Sequence, residues 1–219
     1  MVIGPGWGVL LLVMLIGGLT GGEMLARQLP GMGWARGRAV VRRAMLGGVV
    51  VYATLLLTVS LTSQEEMLGQ GVPKRFCGFY LDCHLGVAVQ GVERATTIGA
   101  AHAAGSFYIV TIRVSSNAKR ATLMMKDPRV VVLDARGNRF ERATTAEAEL
   151  GKVSSPPAPF AQPVIAGASF DTRVVFDLPN EVRAPRLLIR DVRGVDVVIE
   201  SLLTGDEDSM LHKPTTFKL

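Results

Sequence analysis

The sequence predicts a membrane-anchored all-β protein, with two N-terminal transmembrane α-helices followed by an antiparallel β-sandwich on the far side of the membrane. Three observations carry this prediction. Two uncharged apolar runs of about 20 residues stand near the N-terminus, and a helix of that length, rising 1.5 Å per residue, spans the roughly 30 Å hydrocarbon core. The stretch between them is rich in arginine. Beyond residue 84 the chain breaks into short segments of alternating polarity separated by turn residues, with no convincing helix.

The first helix is expected over 1–22, since no charge occurs from Val2 to Gly22, and the second over 44–62. Neither run has the polar stripe of a buried soluble helix. A cleaved signal peptide is the alternative for the first. It would need a basic stretch before the apolar core, and the Gly-Gly-Glu-Met at 21–24 is a poor cleavage site, so the helix is expected to be retained. The intervening segment, 23–43, carries Arg27, Arg36, Arg38, Arg42 and Arg43 against a single acid, Glu23. Short arginine-rich loops stay cytoplasmic, which places the N-terminus and everything after the second helix outside. Trp7 and Trp34 suit interfacial anchors.

Small residues repeat at four-residue spacing within these helices: Gly4 with Gly8, Gly17 with Gly21, Gly18 with Gly22, and Ala44 with Gly48. That spacing lets helix backbones approach closely, either between the two helices or against another membrane protein. Thr54 and Thr58 can bond to their own helix, whereas Tyr52 needs a partner or a route to the interface.

The formal charge of +5 reports topology, not a nucleic-acid ligand. Setting aside the five loop arginines and Glu23 leaves 19 basic residues against 18 acidic ones, with no basic cluster of the kind phosphate backbones require. The only cysteines, Cys77 and Cys83, fall on the side assigned as oxidising, in a juxtamembrane linker over 63–83. A disulfide is the simplest reading and would contribute about 2 kcal/mol through loop closure; a free thiol pair is the alternative.

The sandwich is expected over 84–203. A weak opening strand covers 86–93. In 107–115, Tyr108, Val110, Ile112 and Val114 share one face, with Thr111 and Arg113 on the other. Val130–Leu133 and Arg139–Glu141 flank a turn in which Gly137 takes positive φ. The stretch 143–163, with prolines at 156, 157 and 159, reads as a long loop and a candidate contact surface. Phe170, Thr172, Val174 and Phe176 then restore strict alternation, and strands over 186–190 and 195–203 close the pattern. The polar tail, 204–219, is too poor in apolar residues to order itself without a neighbour.

The order of Val114-Ser115-Ser116-Asn117, the run from Asp127 to Phe140 with its Asp134-Ala135-Arg136-Gly137 turn, Pro163-Val164-Ile165-Ala166-Gly167, and Val174 to Pro179 resembles the telokin-like, immunoglobulin-like extracellular domains of bacteria. The resemblance covers roughly residues 84 to 200. It implies an immunoglobulin-like sandwich outside the bacterial inner membrane, on the periplasmic side, and carries no catalytic residues. Many relatives are tethered as lipoproteins; this chain uses two helices instead, which offer intramembrane surface to other proteins.

Enzymatic chemistry is not expected. The residues at 167–171 lack the Gly-x-Ser-x-Gly spacing of a nucleophile elbow, and Ser169 precedes a strand. Glu147 with Glu149, and Asp206 with Asp208, read as solvated charge. Cys77 and Cys83 have five residues between them, where haem attachment needs two. No cofactor or metal is expected, although Cys83 and His84 with Met124, Met125 or Met210 are the right ligand types for copper. The leading expectation is a non-catalytic accessory subunit of a larger membrane complex, of which respiratory and photosynthetic assemblies are examples. Its partners are other membrane proteins and the bilayer, and it braces the complex's periplasmic face. The alternatives are a free-standing binding module for a ligand or envelope component and, third, a copper-handling protein.

Overall fold

The computed structural model describes residues 5–28, 34–76, 83–192, 201–204 and 209–219. The chain forms two units, one of Met1–Gln64 with Val195–Lys213 and one of Glu65–Gly194 with Pro214–Leu219.

The first unit holds helices α1 (Pro5–Gln28) and α2 (Trp34–Leu61). Both run into the stretch 23–43 expected as a loop, α1 continuing to Gln28 and α2 starting at Trp34. A helix satisfies its own backbone and has no reason to stop where its apolar stretch stops. Glu23 and Arg27 pair one turn apart on α1 at 3.5 Å. Arg42 and Arg43 are exposed on α2, and the side chains of Arg36, Arg38, Trp7 and Trp34 lie outside the described set. Ala39–Leu61 is long and apolar enough to cross a membrane, whereas the apolar part of α1, Gly8–Met24, is shorter at 17 residues.

The glycine repeats divide between two roles. A Cβ on Gly22 would stand 3.4 Å from Val41 and 3.7 Å from Met45, and one on Gly48 would stand 3.8 Å from Leu15, so these glycines lie where α1 and α2 meet. Gly17, Gly18 and Gly21 face open space, and Ala44 is exposed.

The tail is not loose. Ser201 and Leu202 are helical where a strand was expected, and 193–200 lie outside the described residues. The Tyr52 hydroxyl donates to the Leu202 carbonyl at 2.6 Å. The hydroxyls of Ser60 and Ser209 meet at 3.2 Å in a buried contact, and the Lys213 amide donates to Ser63 Oγ at 2.9 Å. A Cβ on Gly8 would stand 2.5 Å from the Thr204 carbonyl oxygen, so this crossing needs glycine. Ser209 and Lys213 of the tail are thus bonded to hydroxyls at the end of α2 and just beyond it.

The second unit is a β-sandwich of two sheets. One contains β1 (Met67–Leu68), β5 (Pro128–Leu133), β6 (Arg139–Phe140), β8 (Arg186–Asp191) and β9 (Thr216–Lys218), in the order β1-β9-β8-β5-β6. The other contains β2 (Lys74–Phe76), β3 (Leu85–Ile98), β4 (Ala101–Ser116) and β7 (Ser169–Leu178), in the order β2-β3-β4-β7. The pairing is antiparallel except for β1 beside β9, which is parallel. The linker 63–83 therefore contributes two strands, and the end of the tail contributes a third. Cys77 lies outside the described residues, and no free cysteine occurs among those described.

Tyr108, Val110, Ile112 and Val114 point into the main core with Val174, Phe176, Leu187, Ile189 and Phe217, as the alternation predicts. Lys74 is buried in the same region; its ammonium donates to the Ile189 carbonyl at 2.9 Å and lies 4.9 Å from the centre of the Phe76 ring. The β3–β4 hairpin is longer than its alternation indicates because residues 95–106 are mostly Ala, Gly and Thr, which give no period. It turns at Gly99-Ala100, with Gly99 at φ +56°.

The expected long loop contains a helix, α3 (Thr144–Val153). Ala146 and Leu150 cover Phe107, Ile109 and Val175 on the outer face of the β3-β4-β7 sheet, forming a second small core. Glu147, read from the sequence as solvated charge, takes both ends of the Arg142 guanidinium at 2.9 and 2.7 Å and accepts from the Val175 amide at 3.0 Å. That amide lies on edge strand β7, which α3 thereby covers. The proline stretch after α3 is also tied down: the Thr172 hydroxyl donates to the Ala158 carbonyl at 2.6 Å, and Phe160 is buried in the main core.

Three carboxylates favour the ionised form in the fold. Hydrogen bonding to Arg113 holds Asp171 below the usual carboxylate range. Burial pushes Asp134 up, but donors from Asn138 and Arg136 outweigh it and leave the group lowered. Lys152 and then the Ala100 amide lower Glu149. Groups with depressed folded pKa values add stability above their unfolded pKa, near 4, and lose it as pH falls through the folded values. The melting temperature is expected to be level above about pH 5 and to fall below about pH 4. Asp171→Asn should make that fall shallower.

Candidate anion-binding pocket

A cavity of about 300 Å³ lies within the sandwich unit, and its walls come from β3, β4 and the segment between β7 and β8. Arg94 supplies one wall. It is the cross-strand partner of Tyr108, so both side chains leave the hairpin on one face, and the Arg94 guanidinium sits 4.7 Å from the centre of the Tyr108 ring. Such a contact stabilises by about 0.5–1 kcal/mol at exposed sites and fixes the orientation of an otherwise floppy side chain. The Tyr108 ring is buried, and its hydroxyl makes no hydrogen bond among the described residues.

Ser106 and Asn180 face each other across the pairing of β4 with β7, the serine hydroxyl lying 3.4 Å from the Asn180 side-chain oxygen. Beside them the chain passes over Gly105, whose neighbouring amides are fixed by Asp177: Ala104 donates at 2.8 Å and Gly105 at 3.2 Å. The remaining wall comes from Leu178 to Asn180 and Val182 to Pro185, with Glu181 outside the lining. It turns where the Val182 amide meets the Pro179 carbonyl at 3.1 Å, and it is tethered where the Ala135 amide donates to the Arg183 carbonyl at 3.2 Å.

Ala184 takes φ +46° immediately before Pro185. A side chain is disfavoured at positive φ, and the residue before proline is pushed toward extended backbone, so this position is strained on two counts. Strain of this kind collects beside ligand sites, and here it adjoins Arg183. Ala184→Gly is expected to raise stability by up to about 1 kcal/mol in denaturant unfolding, the relief of strain being partly offset by chain entropy.

Several sandwich arginines, Arg120 and Arg139 as well as Arg94 and Arg183, have no carboxylate partner among the described residues; what sets Arg94 and Arg183 apart is that both line one cavity. Arg113, Arg142 and Arg186 hold Asp171, Glu147 and Glu65, while neither Arg94 nor Arg183 has a carboxylate partner among the described residues. No carboxylate lines the cavity. The polar residues of its lining are Arg94, Ser106, Tyr108, Asn180 and Arg183.

None of the site residues expected from the sequence lies here, although Tyr108, expected only as a core residue, does. The glycines and arginines of α1 and α2 belong to the other unit. Met125 is fully buried in the main core, Met124 is exposed, and no group of three or more His, Cys, Asp or Glu forms among the described residues. Ser169 is an exposed residue at the start of β7. Sequence reasoning missed Arg94 because it ended the opening strand at residue 93, one position short. The usable signal was the pair Pro179 and Pro185 bracketing a short segment that carries Arg183.

No family model matches this chain, and no curated protein does. Among solved structures, it is similar to the secreted protein MPT63 of Mycobacterium tuberculosis, with TM-score 0.42 and 12% identity over 62% of this chain and 95% of that one. It is also similar to a conserved hypothetical protein from Bacillus anthracis, with TM-score 0.41 and 13% identity over 55% and 88% of the two chains. A third likeness is to an uncharacterized beta-sandwich protein from Clostridium difficile 630, with TM-score 0.40 and 9% identity over 72% and 97%. At identities and scores this low, nothing about ligand or partner passes from them to this chain.

Proposed function

We propose that this protein is a non-catalytic binding module, anchored in the bacterial inner membrane by α1 and α2, whose periplasmic sandwich takes a small anionic ligand in the cavity beside Arg94 and Arg183. The observation that carries the reading is that two arginines without a carboxylate partner among the described residues, Arg94 and Arg183, line one cavity. Ser106 has no histidine, lysine or carboxylate beside it in the lining to activate it, which supports binding without chemistry. The arginines at 27, 36, 38, 42 and 43 support the orientation. A Cys77–Cys83 disulfide and descent from the telokin-like domains belong to the same reading. The test is a thermal-shift screen of the detergent-solubilised full chain against a chemically mixed set of small molecules, run beside Ser106→Trp, which fills the cavity. At least one compound should stabilise the wild type and leave Ser106→Trp unmoved; no such compound sinks the reading.

An accessory subunit of a respiratory or photosynthetic complex is the second reading, favoured by the open face at Gly17, Gly18 and Gly21. Nothing within 4 Å would obstruct a side chain at Gly17 or Gly21, so Gly17→Leu with Gly21→Leu should leave the helix pair folded. On this reading the double variant loses membrane partners that co-purify with the wild type after gentle extraction. Equal yields from both, or no partner at all, exclude it.

A further inference from the structure

We propose that the cavity is a site for a phosphoryl dianion, an inference that rests on the binding-module reading and names its ligand class. Arg94 and Arg183 bring two positive charges that no carboxylate of the lining offsets. A carboxylate ligand would neutralise one of them. A phosphate monoester carries about −1.5 to −2 at neutral pH and balances both. Its three terminal oxygens also need more donors than a carboxylate's two, and the lining residues carry them: the guanidinium forks of Arg94 and Arg183, the Tyr108 hydroxyl and the Asn180 amide, whose oxygen accepts from Ser106.

Guanidinium suits this task because its planar fork presents paired N–H groups to phosphoryl oxygens. The face of the Arg94 guanidinium is already engaged by the Tyr108 ring, so its edge is left for the ligand and little ordering remains to be done on binding. The volume of about 300 Å³ is at the small end for ligand sites, matching a phosphoryl head with a short substituent better than a bulky organic body. Inorganic phosphate and a phosphate ester present the same chemistry here.

The experiment is calorimetric titration of the detergent-solubilised full chain, at about 0.1 M salt, with inorganic phosphate, glycerol 3-phosphate and acetate. One-to-one binding is expected for at least one phosphoryl compound, with acetate at least about tenfold weaker. If glycerol 3-phosphate binds more tightly, the source is an ester; if inorganic phosphate does, it is the free ion. Arg94→Gln and Arg183→Gln should each weaken binding about tenfold or more, Arg183→Gln at unchanged melting temperature and Arg94→Gln with only the small drop expected from losing the Tyr108 ring contact, whereas Arg129→Gln, outside the lining, should not weaken it. Absence of phosphoryl binding, acetate binding as tightly, or wild-type affinity in both cavity variants overturns the proposal. An anionic compound without a phosphoryl group whose effect is lost in Ser106→Trp, together with no phosphoryl binding, would remove the dianion site and leave the binding module standing.

Discussion

Phe217→Ala is expected to lower the stability of the sandwich by about 3–5 kcal/mol, the range for truncating a fully buried phenylalanine. Phe217 has no exposed surface and belongs to the main core. It is the central residue of β9, which stands between β1 and β8 and pairs with Leu68 on one side and Leu187 on the other. The truncation removes the aromatic ring and leaves a cavity that three short strands cannot close without losing their register. Deleting Pro214–Leu219 should cost more, because the Thr216 amide bond to the Glu66 carbonyl at 2.8 Å and the whole strand go with it. Urea unfolding of the solubilised chain, followed by circular dichroism, measures both. A loss below about 1 kcal/mol for Phe217→Ala would mean that β9 is not an integral strand. An integral β9 departs from the sequence reading, in which the tail over 204–219 cannot order itself without a neighbour.

That expectation failed for a physical reason. Disorder was inferred from composition, and a tail of sixteen residues with one phenylalanine does look unable to fold. Composition averages over a segment, whereas a strand needs only one buried side chain and an open sheet edge to receive it. Elsewhere alternation sufficed: Tyr108 to Val114 and Phe170 to Phe176 face the core as their period requires. The helix α3 left a trace that was not used, since Phe107 and Ile109 are apolar on the face of β4 assigned to solvent, and something had to cover them. The linker strands β1 and β2 have two and three residues and no period to detect. The cavity was the least legible feature, because Arg94, Ser106, Asn180 and Arg183 come together only once the hairpin register and the crossing at Gly105 are set.

Gly105→Ala tests that crossing and is expected to cost about 2–3 kcal/mol, the upper part of the range for overpacking. A Cβ at this position would stand 2.8 Å from Pro179 Cα and 3.0 Å from the Asn180 amide nitrogen, and nearer still to the Leu178 carbonyl oxygen. All three are backbone atoms, so no side chain can swing aside, and relief requires the start of β4 to part from the end of β7. The first pairing to go is Ser106 with Leu178, which carries two residues of the cavity wall, and the Asp177 bonds to Ala104 and Gly105 would be strained with it. Stability and ligand binding should therefore fall together. Gly91→Ala is the comparison, since nothing lies within 4 Å of a Cβ there and its backbone is not in the positive-φ region; it should stay within about 1 kcal/mol of wild type and keep full binding. Parallel urea unfolding and phosphate titration of the two variants separate a general intolerance of strand substitutions from a specific one. If Gly105→Ala unfolds with the wild-type midpoint, the close approach of the β7–β8 segment is not rigid, and the cavity wall it forms cannot hold Asn180 and Arg183 in place.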